Sequence, residues 1–537
     1  MSGFPADLRA RSLAALRDAT LDVLILGGGI NGAGIARDLG MRRQQSGVSL
    51  QVGLVERNHF ASGTSGRNSQ LIHGGLRYLK YLKFGLVKES LRERAALRFL
   101  APHLVEPLAF LLPLYSRVDK MKYMMGLRMY DQLAGDTNIS RHREVSKAEI
   151  QQVEPALAKG GLVGGALFYD CIVHSARFVL ENLMDAAANG VHIANYTHAE
   201  PVERQPDGSW QVRLKDTLSG DVFVTRAKKL VDATGAWSKP GAGTAPRLVR
   251  GSHLILPRLT AEEHAVAHFD DDGRIVFLIP WGSEKQLTLL GTTDVDHTGG
   301  PGEARISREE MDYLLGIAGK LYPNASIKPF AAFSSLRPLI DEGDSSATAA
   351  SREHHIFNTK DGVLRIQGGK YTIYRLMSQE AVNLILKEIA PWLMSPSKTA
   401  AEPLNGNTAK ALSRLKGDAQ RLGEAHHLAP VDVERLIRDY GTNTPDVLPM
   451  APPEDQGPIK RLEYARMAYA VQHEMALQLK DFFYVSTYLG YERPWNSALL
   501  EPYANLMGSW LGWDSARQSA EVDQTLAVTA LPGASGR

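Results

Sequence analysis

"LDVLILGGGINGAGIARDLG", residues 21 to 40, passes from an apolar run into three spaced glycines and then into helical periodicity. Leu21 to Leu26 has the apolar continuity of a buried strand, and Gly27-x-Gly29-x-x-Gly32, with Ala36 beyond it, supplies a tight turn and a helix start. In such a unit one glycine makes the turn, the next lets a pyrophosphate approach the backbone, and the third lets the helix pack on the strand. The free N–H groups at the helix start, with Ile30 and Asn31 in its first turn, and the positive end of the helix dipole favour that anion. A second apolar run, "LQVGLVE" at 50 to 56, ends in Glu56, close to the roughly 20-residue spacing at which a carboxylate meets ribose hydroxyls. Together these features predict a cofactor containing ADP.

Composition bounds what surrounds this unit. The chain has 537 residues, 44% hydrophobic and 22% charged, an ordinary globular balance with length for two to four domains. A net charge of +2 predicts no nucleic-acid partner. The single cysteine, Cys171, excludes an internal disulfide and a cysteine-built zinc site, and no metal site is read elsewhere. Cys171 itself reads as a small packed side chain. Residues 1 to 20 alternate Arg and Asp with Leu and Ala, without the unbroken apolar centre of a secretory signal, and predict a short surface helix. No stretch reaches the roughly 18 to 20 apolar residues of a membrane span, so the expected location is the cytoplasm or its membrane face.

The remaining chain alternates between two kinds of pattern. Nucleotide-type segments are expected at 20–80, 161–247 and 351–394, and the parts of a second, mostly antiparallel domain at 81–160 and 248–350. A Ser, Pro, Thr and Asn-rich linker at 395–408 leads to a helical domain at 409–528. A nucleotide fold interrupted by a second sheet domain and resumed later is the arrangement of two-domain flavoproteins, which favours FAD over a nicotinamide. The expected class is therefore α/β, a Rossmann-like FAD-binding fold of the glutathione-reductase type, with an inserted antiparallel sheet and a C-terminal helical domain.

Along nearly its whole length the chain resembles the FAD-dependent glycerol-3-phosphate dehydrogenases. The marks are "GGGINGAGIARD" (27–38), "LIHGGLRYL" (71–79), "DATGAW" (232–237), "GSHLILP" (251–257), "RIVFLIPW" (274–281), "GTTD" (291–294), "LRPL" (336–339) and "GGKYTIYR" (368–375). The resemblance implies oxidation of sn-glycerol 3-phosphate to dihydroxyacetone phosphate with reduction of FAD, electrons passing to a membrane quinone or to oxygen. It implies Glu56 on the adenosine ribose, and Ser62, Thr64, Ser69 and Leu71 beside the cofactor, with Gly235, Gly368 and Gly369 in its turns. Around the substrate it places Arg77, Tyr78, His253, Arg337, Arg352, Lys370 and Thr372.

Chemistry asks for the same residue types. Guanidinium forks and a lysine suit a phosphate dianion, and a secondary alcohol needs a base near its hydroxyl as hydride leaves, a role for which His253 is chosen. A glycine pair opening a helix, at 368–369, can aim N–H groups at the flavin ring, where negative charge develops.

Each residue has a plainer reading: Arg337 as an ion-pair residue, His253 as a satisfied strand histidine. The sequence departs from the family pattern at Gly66, Asn68, Gln70, Ser175, Val485 and Ser486. These departures keep open the same flavin chemistry on another small phosphorylated or carboxylated alcohol, and a flavin-binding module without turnover. Basic and apolar residues mingled from Lys80 to Arg128 suggest a peripheral membrane contact; a homodimer is left open.

Overall fold

The computed structural model describes residues 3–5, 7–17, 20–238, 246–270, 273–340 and 353–533. Arg352, expected at the substrate, lies outside them. The opening strand, Thr20–Leu26, stands inside a sheet, parallel to Val222–Asp232 on one side and Val52–Val55 on the other. Among the described residues the order continues outward to His192–Ala194 at one edge, and through Leu364–Gly368 to His354–Asn358 at the other. A hairpin, Thr197–Arg204 and Trp210–Asp216, extends antiparallel from Val222–Asp232.

Burial on both faces explains the unbroken apolar run. Val23 and Ile25 pack with the helices Ile30–Ser46, Ser175–Ala188 and Tyr374–Ile389, while Leu21 and Leu24 pack with Trp210, Val212 and Leu214 of the hairpin. Gly32 is required by close approach, because a Cβ there would lie 1.9 Å from the Gly27 carbonyl oxygen. The helix it belongs to is buried almost all round, so its charged residues serve as clamps. Arg37 bonds Asp185 and the carbonyls of Thr399 and Glu402; Arg42 holds Asp38 and the Ser395 carbonyl. The linker predicted at 395–408 is thereby tied to the nucleotide-binding sheet over 395–402.

The second sheet is mostly antiparallel, with one parallel junction between Ala265–Phe269 and Val105–Leu114. It corrects the boundary expected at residue 161. Gly164–Val173 pairs along its whole length with Val105–Leu114, Gly164 opposite Leu114 and Val173 opposite Val105, so the chain returns to the first sheet only with the helix from Ser175. Leu71–Ile72, inside the stretch expected at 20–80, also joins this second sheet through Ile172 and Cys171. The nucleotide unit therefore ends before Leu71 and hands its chain directly to the second sheet. The C-terminal helices, from Ala409–Gly417 to Ser515–Ala527, press Phe482, Phe483 and Tyr491 into a core shared with Phe110, Phe168 and Trp281 of that sheet.

Candidate active site

At the nucleotide end, Glu56 turns its carboxylate back to the glycine turn. Oε2 accepts the Gly28 N–H at 2.7 Å and Oε1 the Asn58 N–H at 2.8 Å. Burial pushes this carboxyl above its ordinary range, and the two N–H donors oppose that rise. The N–H of Ile30, first in its helix, donates to Ser65 Oγ at 2.9 Å, and a Cβ on Gly29 would sit 3.0 Å from the same oxygen. No acidic residue occupies the helix's first turn, which leaves a cradle of backbone and one hydroxyl suited to an anion. Ser65 was not singled out in the sequence. Thr64, which was, donates Oγ1 to the Leu336 carbonyl at 2.5 Å, and Ser62 lines a separate cleft.

At the other end, three strands of the second sheet bring His253, Gly291 and Phe333 together. His253, on Arg247–Pro257, lies opposite Gly291 and Phe333. A Cβ on Gly291 would come within 2.2 Å of the imidazole, so the glycine of "GTTD" makes room for it. The ring stacks on Phe333 at 4.9 Å, and Nε2 lies 2.9 Å from Ser69 Oγ. Nδ1 is buried and has no hydrogen-bond partner among the described residues. Burial first, and the Arg337 guanidinium second, push His253 down to about 3. Arg337 lowers this pKa as a neighbouring cation must, but burial is the larger cause.

Arg337 folds over Gly251, where a Cβ would collide with its guanidinium at 2.3 Å. It donates to Asp294 Oδ1 at 2.9 Å, Thr292 Oγ1 at 2.9 Å and the Thr293 carbonyl at 3.1 Å. Arg77 reaches the other oxygen of Asp294 at 3.5 Å, so one buried carboxylate joins the two guanidinium groups. Arg77 also lies over the Tyr78 ring at 5.1 Å, and Lys370 Nζ lies 4.0 Å from the same ring centroid. Lys370 donates to Ser90 Oγ at 3.2 Å, from the helix Phe84–Leu100. Gly368 and Gly369 both take positive φ, +74° and +84°, and side chains there would strike the Glu353 carbonyl and Met377 Sδ. Their turn docks onto "LIHGG": Thr372 Oγ1 accepts the His73 N–H at 3.2 Å and donates to the His73 carbonyl at 3.3 Å.

Behind this loop lies a group the sequence did not reveal. The Gly74 N–H donates to Tyr130 OH at 2.8 Å and Asp170 Oδ1 at 3.3 Å, and Arg94 holds Asp170 at 2.6 Å. Burial lifts the Asp170 carboxyl above its usual range against the pull of Arg94. The departures at Gln70 and Ser175 meet in one neutral network. Gln70 Oε1 accepts the Ser175 N–H at 2.9 Å and Tyr488 OH at 2.7 Å, which ties the loop to the C-terminal part.

A family model for FAD dependent oxidoreductases matches residues 22–387, and one for the C-terminal domain of alpha-glycerophosphate oxidase matches 397–518. The chain is 33% identical to glycerol-3-phosphate dehydrogenase 2 of Mycobacterium tuberculosis over 536 residues, 97% of this chain and 90% of that one. It is 29% identical to alpha-glycerophosphate oxidase of Streptococcus pyogenes, covering 98% of each. The solved glycerol-3-phosphate dehydrogenase of Bacillus halodurans, complexed with FAD, superposes with a TM-score of 0.81 at 27% identity, covering 99% of this chain and all of that one. The fold and the cradle are thus those of an FAD-dependent oxidoreductase. Within that class the chain belongs to the glycerol-3-phosphate dehydrogenase/oxidase family, and its cofactor is FAD. The residues present fit that group, because the acid-free helix start at Gly29 and Ile30 can receive a pyrophosphate.

Proposed function

We propose that the chain oxidises sn-glycerol 3-phosphate to dihydroxyacetone phosphate and passes the electrons to a quinone. The observation that carries the substrate is the charge set at the reacting end. Arg77 and Arg337 share the carboxylate of Asp294, and Lys370 lies over the Tyr78 ring that Arg77 also covers, a cationic set that complements a phosphate dianion. Asp294 fixes the two forks, and Tyr78 and Ser90 fix the ammonium, so little side-chain ordering remains to be done on binding.

When bound, FAD supplies the acceptor for the C2 hydride. His253 supplies the base: its ring is neutral, dry and held in orientation by Phe333 and Ser69, and it takes the C2 hydroxyl proton. A dianion bound beside Arg337 offsets the guanidinium's smaller share in the lowering of the ring's pKa and raises its proton affinity. Anaerobic mixing of the yellow protein with glycerol 3-phosphate should bleach the flavin, and a quinone should restore its colour. An unchanged flavin spectrum overturns the substrate reading; recovery with oxygen alone replaces the quinone with oxygen.

The quinone reading is supported by the helix Arg117–Ala134. Val118 and Met121, each 71% exposed, and Met125, 64% exposed, lie on one side of it among exposed Arg117, Lys122 and Arg128. An apolar stripe edged by cations suits contact with an anionic lipid surface. Among the described residues no helix is long and apolar enough to cross a membrane, so the reading is a peripheral contact.

A further inference from the structure

The loop 58–67, the segments 301–305 and 334–336 of the second domain, and the C-terminal helical stretches 480–485 and 524–528 enclose a cleft. Its walls include none of Gly29, Glu56, His253, Gly368 or Lys370. Ser65 marks the division: its hydroxyl meets the helix start, whereas Ser62, Gly63 and Arg67 line the cleft.

Two guanidinium groups, those of Arg67 and the exposed Arg305, line this cleft. Partial burial and the neighbouring charge of Arg67 together hold the Arg305 guanidinium below its ordinary range. Among the described residues neither arginine forms an ion pair with a carboxylate, and Arg305 donates only to its neighbouring Ala304 carbonyl, at 2.9 Å. The one acidic residue in the walls, Asp481, is committed elsewhere: it accepts Tyr196 OH at 2.7 Å and the N–H groups of Leu477 and Gln478. Lys480 adds a third cation. The lining also includes apolar side chains, Leu336, Val485, Val528 and the 38% exposed indole of Trp237, which packs at Gly63 of the loop. Like charges brought together without a counter-ion are the arrangement that an incoming dianion stabilises, and guanidinium forks match phosphate oxygens.

We propose that this cleft binds a phosphorylated small molecule, its phosphate between Arg67 and Arg305 and its apolar or aromatic body against Trp237. The cleft shares no residue with the Arg77, Arg337 and Lys370 set, although Ser62 and Thr64 of its walls belong to the loop expected beside the cofactor. The ligand would bridge the loop that carries Ser65 and the C-terminal helices.

The test is calorimetric titration of the FAD-loaded protein with adenosine monophosphate, inorganic phosphate and glycerol 3-phosphate in turn. The variants Arg67→Gln, Arg305→Gln and their combination are compared, with flavin content as the check on folding. We expect the combination to weaken at least one of these ligands tenfold or more with flavin content unchanged. If the affected ligand is adenosine monophosphate, the occupant has an aromatic body. If inorganic phosphate and glycerol 3-phosphate are affected equally, the phosphate alone is recognised. An effect confined to glycerol 3-phosphate makes the substrate itself the occupant. Binding of all three that is identical in wild type and in the well-folded Arg305→Gln and combined variants overturns the proposal.

Discussion

Ser69 Oγ stands 2.9 Å from His253 Nε2, so the loop leaving the nucleotide-binding strand and a strand of the second sheet are joined by one polar contact at the reacting end. Replacing His253 by Gln keeps a group able to reach Ser69 but removes the proposed base. Flavin reduction by glycerol 3-phosphate should slow by roughly 10² to 10⁴-fold with FAD retained, as rapid-mixing spectrophotometry would show. Reduction at the wild-type rate makes His253 structural.

The buried imidazole also predicts how stability changes with pH. Its folded pKa, about 3, lies below the unfolded value near 6.5. The unfolded chain therefore binds the proton first, and the contribution of the neutral ring is complete above pH 6.5 and declines as pH falls towards 3. Between pH 7 and pH 5 the wild type should lose about 2 kcal/mol more stability than His253→Gln. Urea unfolding of both proteins at the two pH values measures this; parallel losses would refute it.

Arg337→Ala and Lys370→Ala each remove one charge-assisted contact to the proposed phosphate, a cost of about 1.5 to 3 kcal/mol. KM for glycerol 3-phosphate should rise roughly ten- to a hundredfold, while any turnover of unphosphorylated glycerol changes little. Equal losses on both substrates would point to structural damage.

Ser90 touches the site only through Lys370. Ser90→Ala removes one hydrogen bond worth roughly 0.5 to 1.5 kcal/mol from the ammonium that lies over the Tyr78 ring. Steady-state kinetics should show KM raised about two- to tenfold and kcat preserved. A fall in kcat with unchanged KM contradicts a positioning role.

Met121→Glu together with Met125→Glu places charges on the apolar side of the helix Arg117–Ala134 without touching the reacting groups. Sedimentation with anionic liposomes at low salt should carry down the wild type and leave the variant in solution. Wild type that stays in solution at low and high salt removes the membrane reading.

What the sequence made legible were positions governed by local sterics. Gly27 to Gly32 and the pair Gly368–Gly369 announce themselves because only glycine accepts those close approaches and positive φ values. The glycines beside His253 and Arg337 were visible as letters in "GSHLILP" and "GTTD", but their purpose was not. Gly251 and Gly291 matter because neighbouring strands place large side chains over them, and strand neighbours are fixed by tertiary pairing. Ser90 and Asp170 were illegible for the same reason: their partners, Lys370 and Gly74, lie 280 and 96 residues away. The boundary at 161 failed because an apolar strand such as 164–173 suits either sheet by composition. Its register with Val105–Leu114 decides the matter.

The nucleotide-binding sheet draws its strands from widely separated stretches, and this bears on how the chain is made. When Thr20–Leu26 leaves the ribosome only the short Val52–Val55 is near at hand; its other neighbour, Val222–Asp232, follows much later, and that strand in turn waits for Leu364–Gly368. Through most of synthesis an apolar strand edge lies open, a condition that slows folding and invites association between nascent chains. A chain cut short before residue 364 would lack the strand leading into Gly368 and Lys370, so the nucleotide-binding sheet is completed only after the strand Ala331–Leu339 of the second sheet has been made.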